Sequence, residues 1–217
     1  MKTRVEEALD EQSKYCYPNG VLINKLNIQE QEELDKVEAS CTYLRLNRLI
    51  GTEQEFKFDL YYYLNLHKYI FQDIYSFAGD IRDENISKGL PFCRPEYIVQ
   101  YLKYLLDEMK TKIRNIKTKD DYIDYLSYYY SEINLVHPFR EGNGRTQREY
   151  FRQLVQYLNK YLPFEDLYLD YSLIKGEHKD MFMNACVNAA VTGDLNLLKD
   201  FFRLILKEKA KENDKKI

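Results

Sequence analysis

The stretch that decides the reading is Ile133-Asn134-Leu135-Val136-His137-Pro138-Phe139-Arg140-Glu141-Gly142-Asn143-Gly144-Arg145-Thr146-Gln147-Arg148. Pro138 disfavours helical geometry in the residue before it, so a helix arriving here must stop close to His137. A second helix begins after the Gly142-Asn143-Gly144 turn, which makes the segment a helix–loop–helix with a glycine-rich loop. Glycines at 142 and 144 let several backbone N–H groups point to one spot, and the new helix adds its positive N-terminal end. That composition suits an anion. Arg145 and Arg148, three apart, project from the first helical turn toward one side, with Arg152 next in line. Guanidinium groups there suit linked phosphates through bidentate charge-assisted hydrogen bonds. Glu141 offers a hard oxygen for Mg²⁺ carried on those phosphates. His137, with an ordinary pKa of about 6.5, can accept a proton from an attacking hydroxyl at neutral pH.

Each feature also has a plainer reading. Gly142-Asn143-Gly144 could be a C-cap, a turn and an N-cap, His137 a structural histidine, the arginines surface residues, and Glu141 a carboxylate favoured by the helix dipole. Their concentration between His137 and Arg148 favours the phosphate site. Rival motifs fail: G-x-x-x-x-G-K-[ST] is absent, and Gln147 stands where a dinucleotide fingerprint needs its third glycine. His67 and His178 have no partner at metal spacing and read as structural.

Outward from the motif, helical periodicity dominates. Leu34, Val37, Cys41 and Leu44 predict a helix over 28–50, and Ile98, Leu102, Leu105, Met109 and Ile113 predict one over 95–116. Further helices are expected over 59–75, ending near Ala78-Gly79-Asp80, and over 119–136, 144–161, 172–192 and 194–212. In the 144–161 helix, Phe151, Leu154, Val155 and Leu158 form the stripe for the core. The last helix has Gly193-Asp194 as its expected N-cap and Leu197, Leu198, Phe201, Leu204 and Ile205 as its stripe, and Lys207 to Lys216 read as a solvated charge run. One region argues for strand: Asn85 to Cys93, with Gly89 at a tight turn and Pro91 confining the returning arm to an edge. The first 25 residues read as a short helix followed by an ordered turn.

The 217 residues suffice for one substantial core, and 45% hydrophobic with 31% charged residues fits a soluble globular chain. The aromatic supply is tyrosine-heavy, with 21 Tyr, 11 Phe and no Trp. A net charge of -3 argues against a broad nucleic-acid-binding surface. Cys16, Cys41, Cys93 and Cys186 lack zinc or redox-pair spacing and read as reduced, mostly buried thiols. No signal peptide and no apolar run of membrane-spanning length is evident, so a cytoplasmic location is expected, the producer's or a recipient's.

His137 to Arg148 resembles the signature of the Fic family, H-P-F-x-[D/E]-G-N-G-R-x-x-R, at every specified position. Leu66-His67 through Phe71 and Ile74-Tyr75-Ser76-Phe77-Ala78-Gly79-Asp80-Ile81-Arg82 resemble the family's upstream segment, with Phe77 where Trp is common. Val21-Leu22-Ile23-Asn24-Lys25-Leu26 resembles the opening of bacterial Fic toxins. The resemblance implies an all-α, Fic-type helical domain with a short β-hairpin flap, one domain spanning 1–217 with its core over about 50–190. It implies AMP transfer from ATP to a Tyr, Thr or Ser hydroxyl of a target protein, with pyrophosphate released.

In that scheme His137 deprotonates the target hydroxyl and Glu141 holds Mg²⁺ on the α- and β-phosphates. Gly142, Asn143 and Gly144 bind phosphate, Asn143 orienting the α-phosphate, while Arg145 and Arg148 bind the outer phosphates and Phe139 anchors the loop. Ile86, Ser87, Lys88, Gly89, Leu90, Pro91 and Phe92 form the flap that aligns a target segment by strand-like pairing. The family's inhibitory pattern [S/T]-x-x-x-E-[G/N] is not found; the nearest string, Thr3-Arg4-Val5-Glu6-Glu7-Ala8, has Ala at its last position. A toxin is therefore expected, inhibited by a small antitoxin that presents a glutamate to Arg148, with type II topoisomerase subunits as candidate targets. The rivals are a Doc-like kinase that transfers the γ-phosphate, a module that binds nucleotide or protein without turnover, and use of another nucleotide or a phosphocholine donor.

Overall fold

The computed structural model describes residues 13–52, 55–164 and 166–209. The chain order is α1 (Gln31–Ile50), α2 (Leu60–Phe71), β1 (Ser87–Lys88), β2 (Leu90–Pro91), α3 (Pro95–Lys112), α4 (Lys119–Val136), α5 (Asn143–Leu158), β3 (Leu167–Leu169), α6 (Glu177–Thr192), α7 (Asn196–Ile205) and β4 (Leu206–Glu208). Among the described residues the architecture is helical with two small antiparallel two-stranded sheets, the hairpin β1–β2 and the pair β3–β4, whose strands are separated in sequence by α6 and α7. The described parts of Met1–Lys110 and Ile133–Tyr150 form one compact unit, and those of Thr111–Glu132 and Phe151–Ile217 another.

In the first unit α1 packs on α2. Helix α2 starts because Asp59, in extended geometry, accepts the Tyr62 N–H at 2.7 Å. Helix α3 starts at Pro95, whose missing N–H has no partner to lose in a first turn, and its stripe Ile98, Leu102, Leu105 and Met109 is fully buried. Tyrosines fill the place of tryptophan: Tyr63, Tyr75 and Tyr150 are among the largest buried side chains of this unit. In the second unit α6 packs on α7, and Tyr130 meets Phe151, Phe182 and Phe202 edge-on at centroid distances of 4.9, 5.7 and 5.4 Å. Phe151, Leu154, Val155 and Leu158 are all buried, as the stripe requires.

Several boundaries differ from expectation. Helix α3 stops at Lys112 and passes into a single 3₁₀ turn, Ile113–Asn115, and α6 starts at Glu177, after Gly176, not at 172. Gly193, with φ 72°, is the left-handed C-cap of α6, and Asp194 accepts the Asn196 N–H of α7 at 2.9 Å. The expected helix over 194–212 ends at Ile205, where the chain turns extended and β4 pairs with β3 in the register Leu167↔Glu208, Leu169↔Leu206. No disulfide joins the cysteines among the described residues, and each of the four is half-buried where mostly buried thiols were expected. No helix among the described residues is long and apolar enough to cross a membrane. The string Thr3 to Ala8, the short helix expected near the N-terminus and the end of the Lys207 to Lys216 run lie outside the described residues.

Helix α1 holds the most informative difference. Leu44, expected on the buried stripe, is 58% exposed, whereas Thr42 is 2% exposed. The inward face runs Leu34, Glu38, Thr42, Arg45 and Leu49, so polar side chains occupy positions that periodicity reserves for apolar ones.

The start of α4 is capped reciprocally: Asp121 accepts the Thr118 and Lys117 N–H groups at 2.9 and 3.0 Å, and Thr118 Oγ1 accepts the Asp121 N–H at 3.0 Å. Thr118→Ala is expected to lower stability by about 1 kcal/mol, read as an earlier urea midpoint at unchanged slope.

Candidate active site

Helix α4 closes with the His137 N–H on the Ile133 carbonyl at 3.2 Å, after which His137 turns to φ 45°. A left-handed histidine is held there only if its surroundings over-determine it. They do so through Phe139, which is fully buried and stacked between His67 at 3.7 Å and Tyr63 at 5.8 Å. The Phe139 N–H donates to Asn143 Oδ1 at 2.9 Å, and Asn143 Nδ2 donates to the Phe139 carbonyl at 2.7 Å. The Asn143 side chain is thus a brace across the loop, with both ends used.

His67 is 0% exposed and works as a strut: its Nδ1 accepts the Gly79 N–H at 2.8 Å and its Nε2 meets the Glu141 carbonyl at 2.9 Å. Accepting at Nδ1 requires a neutral ring protonated at Nε2. Burial, reinforced by the charge of Arg145, pushes the His67 pKa down to about 4, against the opposing bond to Glu141. The structural reading of His67 fits this position, and His178 is an exposed residue in the first turn of α6.

Gly142 has φ 82°, and a Cβ there would lie 2.3 Å from the ring of Phe71. Its N–H reaches Glu141 Oε1 at 2.7 Å. The first backbone bond of α5 runs from the Thr146 N–H to the Gly142 carbonyl at 3.0 Å, so the N–H groups of Asn143, Gly144 and Arg145 have no intrahelical acceptor. Gly144 has an ordinary backbone, and a Cβ there would sit 3.2 Å from Arg148 Nη1, so the end of that side chain would have to give by a few tenths of an ångström. The helix end, the Arg148 guanidinium and the Glu141 carboxylate are therefore brought together.

Arg145 takes a different direction from the simple outward projection. Its guanidinium pairs with Glu38 of α1, lies 3.3 Å from Glu141 Oε1 and 3.3 Å from Thr42 Oγ1, and covers the Phe71 ring at 4.7 Å. The other Glu38 oxygen accepts from the Tyr75 hydroxyl, whose pKa is raised by burial and by that carboxylate. Glu38, Thr42 and Tyr75 are the site residues that sequence reasoning missed. Nothing in a polar position beside an apolar stripe distinguishes them from a solvated helix face.

The His137 ring is half-buried, with Nδ1 3.2 Å from the Asn134 carbonyl and the Phe92 ring stacked on it at 3.7 Å. Donation from Nδ1 to that carbonyl leaves Nε2 with a lone pair. Burial, with Arg82 and Lys88 nearby, pushes its pKa down to about 3, so the ring is neutral at neutral pH. Phe92 belongs to the β1–β2 hairpin, in which Ser87 pairs with Pro91, Gly89 turns at φ 76°, and Leu90 and Pro91 are exposed. Glu141, at 42% side-chain exposure, supplies one hard oxygen donor, and no group of three metal-ligating side chains occurs among the described residues. A single carboxylate fits a Mg²⁺ that completes its shell with phosphate oxygens and water.

Residues 57–155 match the Fic/DOC family. A relative from Sinorhizobium fredii, the probable protein adenylyltransferase y4lH, is 36% identical over 146 residues, 65% of this chain and 74% of the relative. The chain belongs to the Fic/DOC family. The probable protein adenylyltransferase Fic of Escherichia coli is 29% identical over 198 residues, 89% of this chain and 92% of that protein. The AMPPNP-bound BepC protein of Bartonella tribocorum, at 21% identity, superposes with a TM-score of 0.77 over 90% of this chain and 97% of its own, which establishes the Fic fold.

Two stability effects follow from the site's geometry. Gly142→Ala must displace Phe71 and hold alanine at positive φ, and is expected to cost about 2 kcal/mol or more in urea unfolding. His67 and His137 have folded pKa values of about 4 and about 3, below the ordinary 6.5. Their contribution is present in full above pH 6.5 and is lost as pH falls through that value toward the folded ones, because the unfolded chain binds the protons first. Unfolding free energy should already drop between about pH 7 and pH 5, where carboxylates remain mostly ionised.

Proposed function

We propose that the chain transfers AMP from ATP to a hydroxyl side chain of a target protein. The target oxygen attacks the α-phosphorus, an O–P bond forms, the bond from the α-phosphorus to the oxygen bridging to the β-phosphorus breaks, and pyrophosphate leaves. His137 Nε2 takes the hydroxyl proton. The observation that carries this reading is a neutral imidazole, fixed by the Asn134 carbonyl with Nε2 unprotonated, at the start of the loop that leads into the open amides of Asn143, Gly144 and Arg145 in the first turn of α5.

The open amides and Arg148 would hold the phosphates, with Arg145 arriving from its pairing with Glu38 and Glu141. Asn143 acts through its backbone N–H, since its side chain is occupied by Phe139. Glu141 would hold Mg²⁺, which when bound neutralises charge on the phosphates. The exposed edge at Leu90 and Pro91 would receive an extended target segment beside Phe92 and His137. The nucleotide carried by BepC and the names of the two relatives agree with this reading. Gly144 favours it over γ-phosphate transfer of the Doc type, whose motif departs at this second glycine, which is intact here.

A finer reading makes the chain the toxin of a toxin–antitoxin pair, with type II topoisomerase subunits as targets and a small antitoxin whose glutamate occupies Arg148. A tight complex with the product of an adjacent small reading frame supports it, and unrestrained activity with no such neighbour counts against it.

Incubation of the chain with a cell lysate should transfer label from α-labelled but not γ-labelled ATP, and His137→Ala should reduce transfer by about 100-fold or more. Labelling from the γ-position, or unchanged labelling by His137→Ala, rejects the reading.

A further inference from the structure

Arg82 is 1% exposed, and no carboxylate pairs with it among the described residues. A buried cation without partners is strongly destabilising, so its charge must be met by dipoles. Four carbonyls meet it: Nε donates to His137 at 2.8 Å, Nη1 to Glu84 at 2.7 Å, and Nη2 to Cys93 at 2.5 Å and to Val136 at 3.3 Å. The Arg82 N–H donates to the Pro138 carbonyl at 2.9 Å.

These acceptors come from three places. Val136 and His137 are the end of α4, where orphan carbonyls and the negative end of the helix dipole favour a cation. Glu84 immediately precedes the arm that enters the flap, and Cys93 immediately follows Phe92. The Cys93 N–H also reaches the Leu135 carbonyl at 2.9 Å, so the far end of the flap is tied to the same helix terminus from both sides of one residue. Arg82 and its own backbone further bracket the left-handed His137 by holding the carbonyls of 137 and 138.

We infer that Arg82 is a positioning residue of the transfer reaction: one planar guanidinium fixes the His137 turn and both ends of the flap in a single relation. The base and the edge that would align the target are then set together. The inference rests on the roles proposed above for His137 and the flap. Lysine cannot replace the function, because its donors radiate from one atom and do not form a planar fork.

The test compares the full chain with Arg82→Lys and Arg82→Met, using amide hydrogen exchange over 86–93, ATP binding, and label transfer from α-labelled ATP to lysate protein. In Arg82→Lys a cooperative melt is retained, flap amides exchange about tenfold faster, ATP affinity stays within about threefold, and transfer at saturating ATP falls by about 100-fold. Arg82→Met shows at least the same loss if it folds. Unchanged flap exchange in Arg82→Lys, a loss confined to ATP affinity, or loss of the cooperative melt even with lysine overturns the proposal. If the unsubstituted chain transfers no label while flap exchange still depends on Arg82, the proposed activity falls and the coupling stands. If it transfers label and flap exchange ignores Arg82, the coupling falls and the activity stands.

Discussion

The structure of the site depends on how one loop is held between two helices. Residues 137–142 must leave α4, reverse, and present the start of α5, and an unrestrained loop of this kind would sample many conformations at a cost of about 1–2 kcal/mol per residue to order. Phe139 is the anchor. Its ring is clamped between His67 and Tyr63, and its backbone N–H and C=O are both taken by Asn143. His67 extends the clamp by joining Gly79 to Glu141. A neutral imidazole is required because the same ring must accept on one nitrogen and donate on the other, which a doubly protonated ring cannot do.

Charge in the site is arranged around that anchor. The net charge of -3 says nothing of it, since the relevant groups are local. Arg145 stands between two carboxylates, Glu38 and Glu141, over the face of Phe71, while Arg148 lies at the mouth of the helix end beside Gly144. The two arginines of one motif therefore have unlike surroundings. Arg145 is held by α1 and is partly compensated, whereas the Arg148 guanidinium lies against the backbone of Gly144.

Much of this was legible in the sequence, and the failures have identifiable physical causes. The proline after His137 marked the end of α4, and the Gly-Asn-Gly turn marked the start of α5 to within one residue. The hairpin at Gly89 was legible because turn chemistry is local. By contrast, β3 and β4 have three residues each, too few to establish a period, and Leu206 continues the apolar run of α7 so closely that no local signal separates them. Helix α1 misled for a different reason. Its inward face carries Glu38, Thr42 and Arg45 because that face meets charged and hydroxyl partners, Arg145, Tyr75 and Asp73, and periodicity counts only apolar residues as buried. Gly144 looked like a backbone requirement, but its φ is not positive.

The residues that shape the site share a habit that sequence patterns do not display: their side chains bond to main chain. Asn143 bonds to Phe139, His67 to Gly79 and Glu141, and Arg82 to His137, Glu84, Cys93 and Val136. A carbonyl acceptor has no sequence identity, so the partners of such residues carry no mark of the interaction. These bonds do not use the side chains of Glu84 and Cys93, whereas Arg82 supplies a planar fork of donors, and His67 and Asn143 each supply a donor together with an acceptor. The shape of the site is thereby concentrated in a few side chains whose partners are main-chain groups, and the loop from His137 to Gly142 is held in place by them.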